Sequence, residues 1–275
     1  MNLIEIFSFV FVQRALLAGV LIAAVASILG VFLVLRRLSL IGDGLAHVTF
    51  GSVAFVLLVG FSPLYVTLAA LPLVILSSLA ILKLTRTRKI HGDAAIGIVS
   101  SIGIAAGILL ASLSGGYSVD LLSYLFGNIL TVNQNELILS FIVFLLVVSF
   151  VLIFYRDLFA LTFDEELARS MGIKTKQINT VLFILTAVAA VLAMKVAGIM
   201  LVSAMLIIPP LTAMQLSVSF RLTIIFSVVF SILSVICGII FSFLLNLPAG
   251  GTIVLFNVIF LLLIIATRRI LPASR

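Results

Sequence analysis

Runs of apolar residues close to 20 long recur along the whole chain, and they constrain its fold more than any other feature. They lie at about 15–35, 45–60, 64–82, 94–113, 137–155, 177–194, 196–216, 222–245 and 250–266. A helix rising ~1.5 Å per residue needs about 20 residues to cross the ~30 Å hydrocarbon core of a bilayer. Lipid offers no partner for backbone amides, so only helices or a closed barrel can span it. A barrel would show short alternating strands, which are absent here. The expectation is an all-α polytopic membrane protein with eight or nine transmembrane helices. Two places leave the number open. The stretch 45–60 is short and begins with polar residues, and 177–194 is separated from 196–216 by Lys195 alone. Only 9% of the 275 residues are charged and 64% are hydrophobic. A soluble domain carries roughly 25% charged residues. The whole of 1–275 reads as a single membrane domain.

Charge sets the orientation. With the loop at 36–44 placed inside and nine alternating segments, the inner side receives all of the sixteen basic residues except Arg14 and Lys195. This is the positive-inside bias of a multi-pass protein, with the C-terminus cytoplasmic. It accounts for the net charge of +7 by membrane topology and contact with anionic lipid, with no nucleic-acid partner required. The single cysteine, Cys237, excludes an internal disulfide and reads as a small buried hydrophobe. No cleavable signal peptide is evident. No phosphate-binding G-x-x-x-x-G-K-[ST], no H-E-x-x-H and no G-x-S-x-G occurs, so the chain is not expected to be an enzyme.

Two non-spanning pieces stand out. In 157–179, Asp164 is a suitable N-cap for a short helix whose first turn carries Glu165 and Glu166. Gly172 suits its C′ position, and Leu167 and Met171 would give it an apolar patch. It reads either as a capped surface loop or as a docking helix for a cytoplasmic partner. The outer piece, about 114–136, is amphipathic and includes Tyr117, Asp120, Tyr124 and Asn128. It suggests a short helix at the outer mouth. Pro209 and Pro210 free backbone carbonyls within one span, through a kink or a break. Asn257 reads as a buried amide bonded to a neighbouring helix.

Asp43 and His47, in GDGLAHVTFGS at 42–52, stand four residues apart among small and apolar neighbours. On a helix they share a face, about 6 Å apart. One carboxylate and one imidazole could meet one cation, or the histidine could simply bond to the aspartate and brace packing. Ionisable groups inside a membrane segment point to function by default. His91 lies in a basic inner loop, where an exit ligand is the functional reading. Met200, Met205 and Met214 sit in apolar surroundings and read as core.

Several stretches together resemble the permeases of ABC importers for zinc, manganese or iron. These are GDGLAHVTFGS, GDAAIGIVSSIGIAAGILLAS at 92–112, VDLLSYLFGNIL at 119–130, TFDEELARSMGI at 162–173, KVAGIMLVSAMLIIPPLTA at 195–213 and PAGGTIVL at 248–255. The resemblance runs from about residue 10 to 270. It implies a single transmembrane permease domain with a fold like that of the vitamin B12 and siderophore importer permeases, in a prokaryotic cell membrane. It also implies a homodimer, separate cytoplasmic ATP-binding subunits that use the ATP, and an extracytoplasmic metal-binding protein that delivers the ion. No cofactor is expected to bind stably; the divalent metal is cargo. Asp164, Glu165, Ala168 and Gly172 match the region that couples to the ATPase. Asp43 and His47 match residues that resemble transient metal contacts in relatives, and two copies would bring four donors to a two-fold axis. An acidic pair in many relatives is Gly92-Asp93 here, so only Asp93 carries over. Two other readings compete: a permease for chelated substrates such as haem, cobalamin or a siderophore, and a secondary transporter that needs no ATPase.

Overall fold

The computed structural model describes residues 10–61, 65–85, 92–113, 127, 132–199, 202–216 and 219–270, without the side chains of 195, 196, 269 and 270. His91, Met200 and most of the outer piece 114–136 lie outside the described residues. Every regular element described is a helix. In chain order they are α1 (Val10–Leu35), α2 (Ile41–Leu58), α3 (Val66–Thr85), α4 (Gly92–Leu113), α5 (Gln134–Ile153), α6 (Tyr155–Phe163), α7 (Glu165–Ser170), α8 (Thr175–Ala197), α9 (Val202–Leu216), α10 (Phe220–Leu245) and α11 (Ala249–Ile270). Eight of these are long and apolar enough to cross a membrane: α1 to α5, α8, α10 and α11. α9 is a shorter apolar helix.

The two marginal stretches resolve differently. The second helix begins at Ile41, four residues earlier than its apolar content alone suggests, and so takes Asp43 and His47 into its first two turns. The break near Lys195 falls at Gly198, whose positive φ caps α8. α9 leads from that break to Ser219, the N-cap of α10. The following Phe220 packs on Phe32, Phe159 and Phe163. Those residues belong to the end of the bundle that carries Arg36 and Arg156, here called the basic end. α9 therefore leads back to the basic end, and among the described residues eight helices have the length and apolar content to span. Pro209 and Pro210 do not break α9, because helix continues on both sides of them. Pro210 cannot donate to the carbonyl of Leu206. α1 closes on that carbonyl at Gly30, where a Cβ would overlap it.

α1 forms the centre. From Gly19 onward nearly every residue is buried, with Ala, Gly and Ser frequent among them. Small residues allow close helix approach in a medium where the hydrophobic effect does not drive helices together. Hydroxyls reinforce the contacts. Ser231 Oγ donates to the Ala23 carbonyl at 3.0 Å and Ser227 Oγ to the Ser27 carbonyl at 3.3 Å, which ties α10 to α1. Ser78 Oγ donates to the Phe183 carbonyl and ties α3 to α8. Asn257 departs from the expectation. Its amide donates to the Ile253 carbonyl of its own helix, and its Oδ1 is buried without a partner among the described residues.

At the far end from the basic residues, Asn133 and Glu136 form a reciprocal capping box for α5. Thr67 Oγ1 donates to the buried Glu136 carboxylate at 3.0 Å, which fixes the start of α5 against α3.

Candidate functional site

α2 explains why the acid–imidazole pair is presented as it is. One strip of α2 packs on α4. A Cβ on Gly51 would lie 2.6 Å from the Gly103 carbonyl oxygen, and a Cβ on Gly103 would lie 2.7 Å from the backbone of Val48. Neither position admits a larger residue while the two backbones keep this approach. Another strip, marked by Gly42, packs on Ser203 and Leu206 of α9. Asp43 and His47 lie between these strips. The geometry leaves them reachable: the side chains are 50% and 28% exposed in the single chain. His47 Nε2 is 3.3 Å from Asp43 Oδ2. That is slightly longer than the roughly 2.7–3.2 Å usual for an N–H···O bond. The pair is therefore adjacent without being locked.

As a metal site this is sparse. No group of three or more His, Cys, Asp or Glu side chains converges among the described residues. One chain offers a carboxylate oxygen and an imidazole nitrogen, fewer donors than the four that Zn²⁺ usually takes or the larger oxygen-rich set of Mn²⁺. Asp93, in the first turn of α4, is exposed and joins no such group among the described residues. Met205 is fully buried in the core and Met214 partly buried, as their apolar surroundings suggest.

The second cluster lies at the basic end and centres on Glu165. Asp164 Oδ1 accepts from the Leu167 amide at 2.9 Å and caps α7. The helix closes with two bonds: Ile173 N–H to the Ala168 carbonyl, and Gly172 N–H to the Arg169 carbonyl, both at 3.1 Å. This pattern needs a left-handed C′ residue, and Gly172 supplies it with a φ of 83°. Ala168 is fully buried beneath the helix, while Leu167 and Met171 stand exposed above it. α7 is thus a short knob capped at both ends, with an apolar outer face.

Glu165 is held by partners from three elements. Arg36 Nη2, at the end of α1, reaches Glu165 Oε2 at 3.3 Å, while Arg36 Nη1 donates to Asn179 Oδ1 at 2.6 Å. Asn179 Nδ2, in α8, donates to Glu165 Oε1 at 3.2 Å. Arg169 adds a looser contact at 3.7 Å from the solvent side. Asn179 is buried, so the triangle is closed from below. The sequence reading missed Arg36 and Asn179 as members, because 129 and 143 positions separate Arg36 from its two partners. It also missed α6. Leu158, Leu161 and Thr162 form its buried stripe, a periodicity that was available in the sequence.

Known proteins resemble this chain over almost its full length. It is 32% identical over 251 residues to the manganese transport system membrane protein MntC of Halalkalibacterium halodurans, covering 91% of this chain and 85% of that protein. It is 31% identical over 241 residues to the high-affinity zinc uptake system membrane protein ZnuB of Haemophilus influenzae, covering 88% and 91%. Among solved structures, PsaBC from Streptococcus pneumoniae, in complex with a Fab, has a chain that superposes with a TM-score of 0.85 at 30% identity, with both chains fully covered. The ABC 3 transport family matches residues 8–268, and this chain belongs to that family.

Proposed function

We propose that the chain is the membrane-spanning permease subunit of an ATP-driven importer of a divalent transition-metal ion, manganese or zinc. It works as a homodimer, with two cytoplasmic ATP-binding subunits below it and an extracytoplasmic metal-binding protein above. The observation that carries this reading is the exposed Asp43–His47 pair on a membrane-spanning helix, in a chain related throughout to manganese and zinc permeases. Ionisable side chains on a membrane-spanning helix are rare, and they point to function by default.

The sparse donor set suits transport. A passing ion must shed part of its hydration shell and later leave, so binding has to be favourable but weak. Two donors per chain, doubled across a two-fold axis, meet that need. Asp43 supplies charge, and His47 supplies a nitrogen that manganese and zinc both accept. A large organic chelate would not call for such a compact charged pair.

Coupling follows from the corner at Glu165. The exposed face of α7, with Leu167 and Met171, seats in the ATP-binding subunit. The caps at Asp164 and Gly172 keep the knob from fraying under load. Glu165 passes its displacement to Arg36 and Asn179, and so to the ends of α1 and α8. Arg36 opens the short turn that leads directly into α2 and Asp43. The mechanical connection from ATPase to ion contact is therefore short.

Competitive uptake of manganese, zinc and iron into vesicles holding the complete transporter tests this reading. Saturable, ATP-dependent uptake of manganese or zinc supports it. Transport of a haem or siderophore complex, with no uptake of free ions, overturns it.

A further inference from the structure

A groove of about 680 Å³ runs along the outside of the basic end, where α5 meets α6 and α10 begins. Its walls are apolar: Val151, Leu152 and Ile153 on one side, Ile224 and Ile225 on the other. Leu152 and Ile153 are among the most exposed apolar side chains described, at 70% and 73%. Its mouth is polar and carries Tyr155, Arg156, Asp157 and Arg221. The Arg221 guanidinium sits over the Tyr155 ring at 5.5 Å, which holds it at the rim. Neither arginine forms an ion pair among the described residues, although Asp157 shares the groove. Two cations against one anion leave the mouth with net positive charge.

We propose that this groove binds an anionic phospholipid of the inner leaflet, of the phosphatidylglycerol type. The parts match in order along the membrane normal. The apolar walls face the hydrocarbon and suit an acyl chain, while the arginines stand where the spans end, at the depth of the phosphate. A guanidinium forms paired hydrogen bonds with phosphate oxygens, and its attraction to an anionic surface adds to them. Asp157 accepts from a headgroup hydroxyl, which favours a glycerol headgroup over bare phosphate. The groove on the other side of α6, lined by Lys174, Gln177 and the same Asp157, has a single cation and lacks this charge balance.

A lipid there would tie α10 to α6, the helix that leads into the capped α7. The site is thus placed to steady the coupling corner without belonging to it.

The chain contains no tryptophan. Leu152→Trp therefore gives a single reporter in the groove, used in the full-length protein in vesicles of defined composition. Brominated phosphatidylglycerol should quench it at lower mole fraction than brominated phosphatidylcholine or phosphatidylethanolamine, by about fivefold or more. The combined Arg156→Gln and Arg221→Gln changes should remove that preference. Millimolar inorganic phosphate should leave the quenching unaltered. Native mass spectrometry of the chain without the reporter checks the same point, since retained phosphatidylglycerol should fall in the double variant. Equal quenching by the three lipids, a preference for phosphatidylethanolamine, competition by free phosphate, or a preference that survives the double variant would each overturn the proposal.

Discussion

The corner at Glu165 and the pair at Asp43 and His47 both set an acidic side chain beside a basic one at the same end of the bundle. Their surroundings differ sharply. Glu165 meets Arg36, Asn179 and Arg169, with Asn179 buried and Arg36 nearly so. The Asp43–His47 contact is single and solvent-reachable. A fully partnered carboxylate transmits position, because displacing it breaks several bonds at once. A carboxylate and imidazole in one loose contact can instead change partners at little cost, which a transient ion site requires. The same residue chemistry thus suits a joint in one place and a way-station in the other.

Breaking the joint should have the largest effect. Glu165→Arg sets a third cation beside Arg36 and Arg169 and should abolish co-purification with the ATP-binding subunit while membrane insertion persists. Unchanged association would remove α7 from the docking role. Next come Asp43→Asn and His47→Ala, each expected to lower metal uptake at least about tenfold with the complex still assembled. Parental uptake in either variant would leave that residue only a packing role.

Asn179→Ala probes the joint more gently. It removes the link from Glu165 to α8 and leaves the outer face of α7 untouched. The ATP-binding subunit should still associate, while ions moved per ATP hydrolysed should fall severalfold. A parental ratio would show that force does not pass through this triangle. The smallest effect belongs to Asp164→Ala, which deletes the cap of α7 and costs about 1 kcal/mol of helix stability. Affinity for the ATP-binding subunit, measured by titration, should weaken by about tenfold or less.

Much of this was legible in the chain. Apolar length revealed the spans, and local chemistry revealed both caps of α7, because Asp164 and Gly172 act within a few residues of themselves. The adjacency of Asp43 and His47 needed only helical spacing. What stayed hidden depends on distant partners. Nothing near Arg36 in the sequence distinguishes a basic residue that closes on Glu165 and Asn179 from one that merely contributes to the charge bias between loops. The proline pair suggested a kink or a break, and it does not break α9. α9 contains both prolines, and the break in this region falls before it at Gly198, which ends α8 and whose role is evident only from its backbone conformation. Asn257 looked like an interhelical link because buried amides in membranes often are, yet it satisfies its donor within its own helix.

The most direct test of the account compares metal uptake by vesicles holding the permease with its ATP-binding subunits and by vesicles holding the permease alone, each with ATP inside and outside. Uptake is expected only in the complete complex, and it should be lost when Asp43→Asn is introduced there. Uptake at the same rate by the permease alone would contradict this and would make the chain a transporter driven by other means.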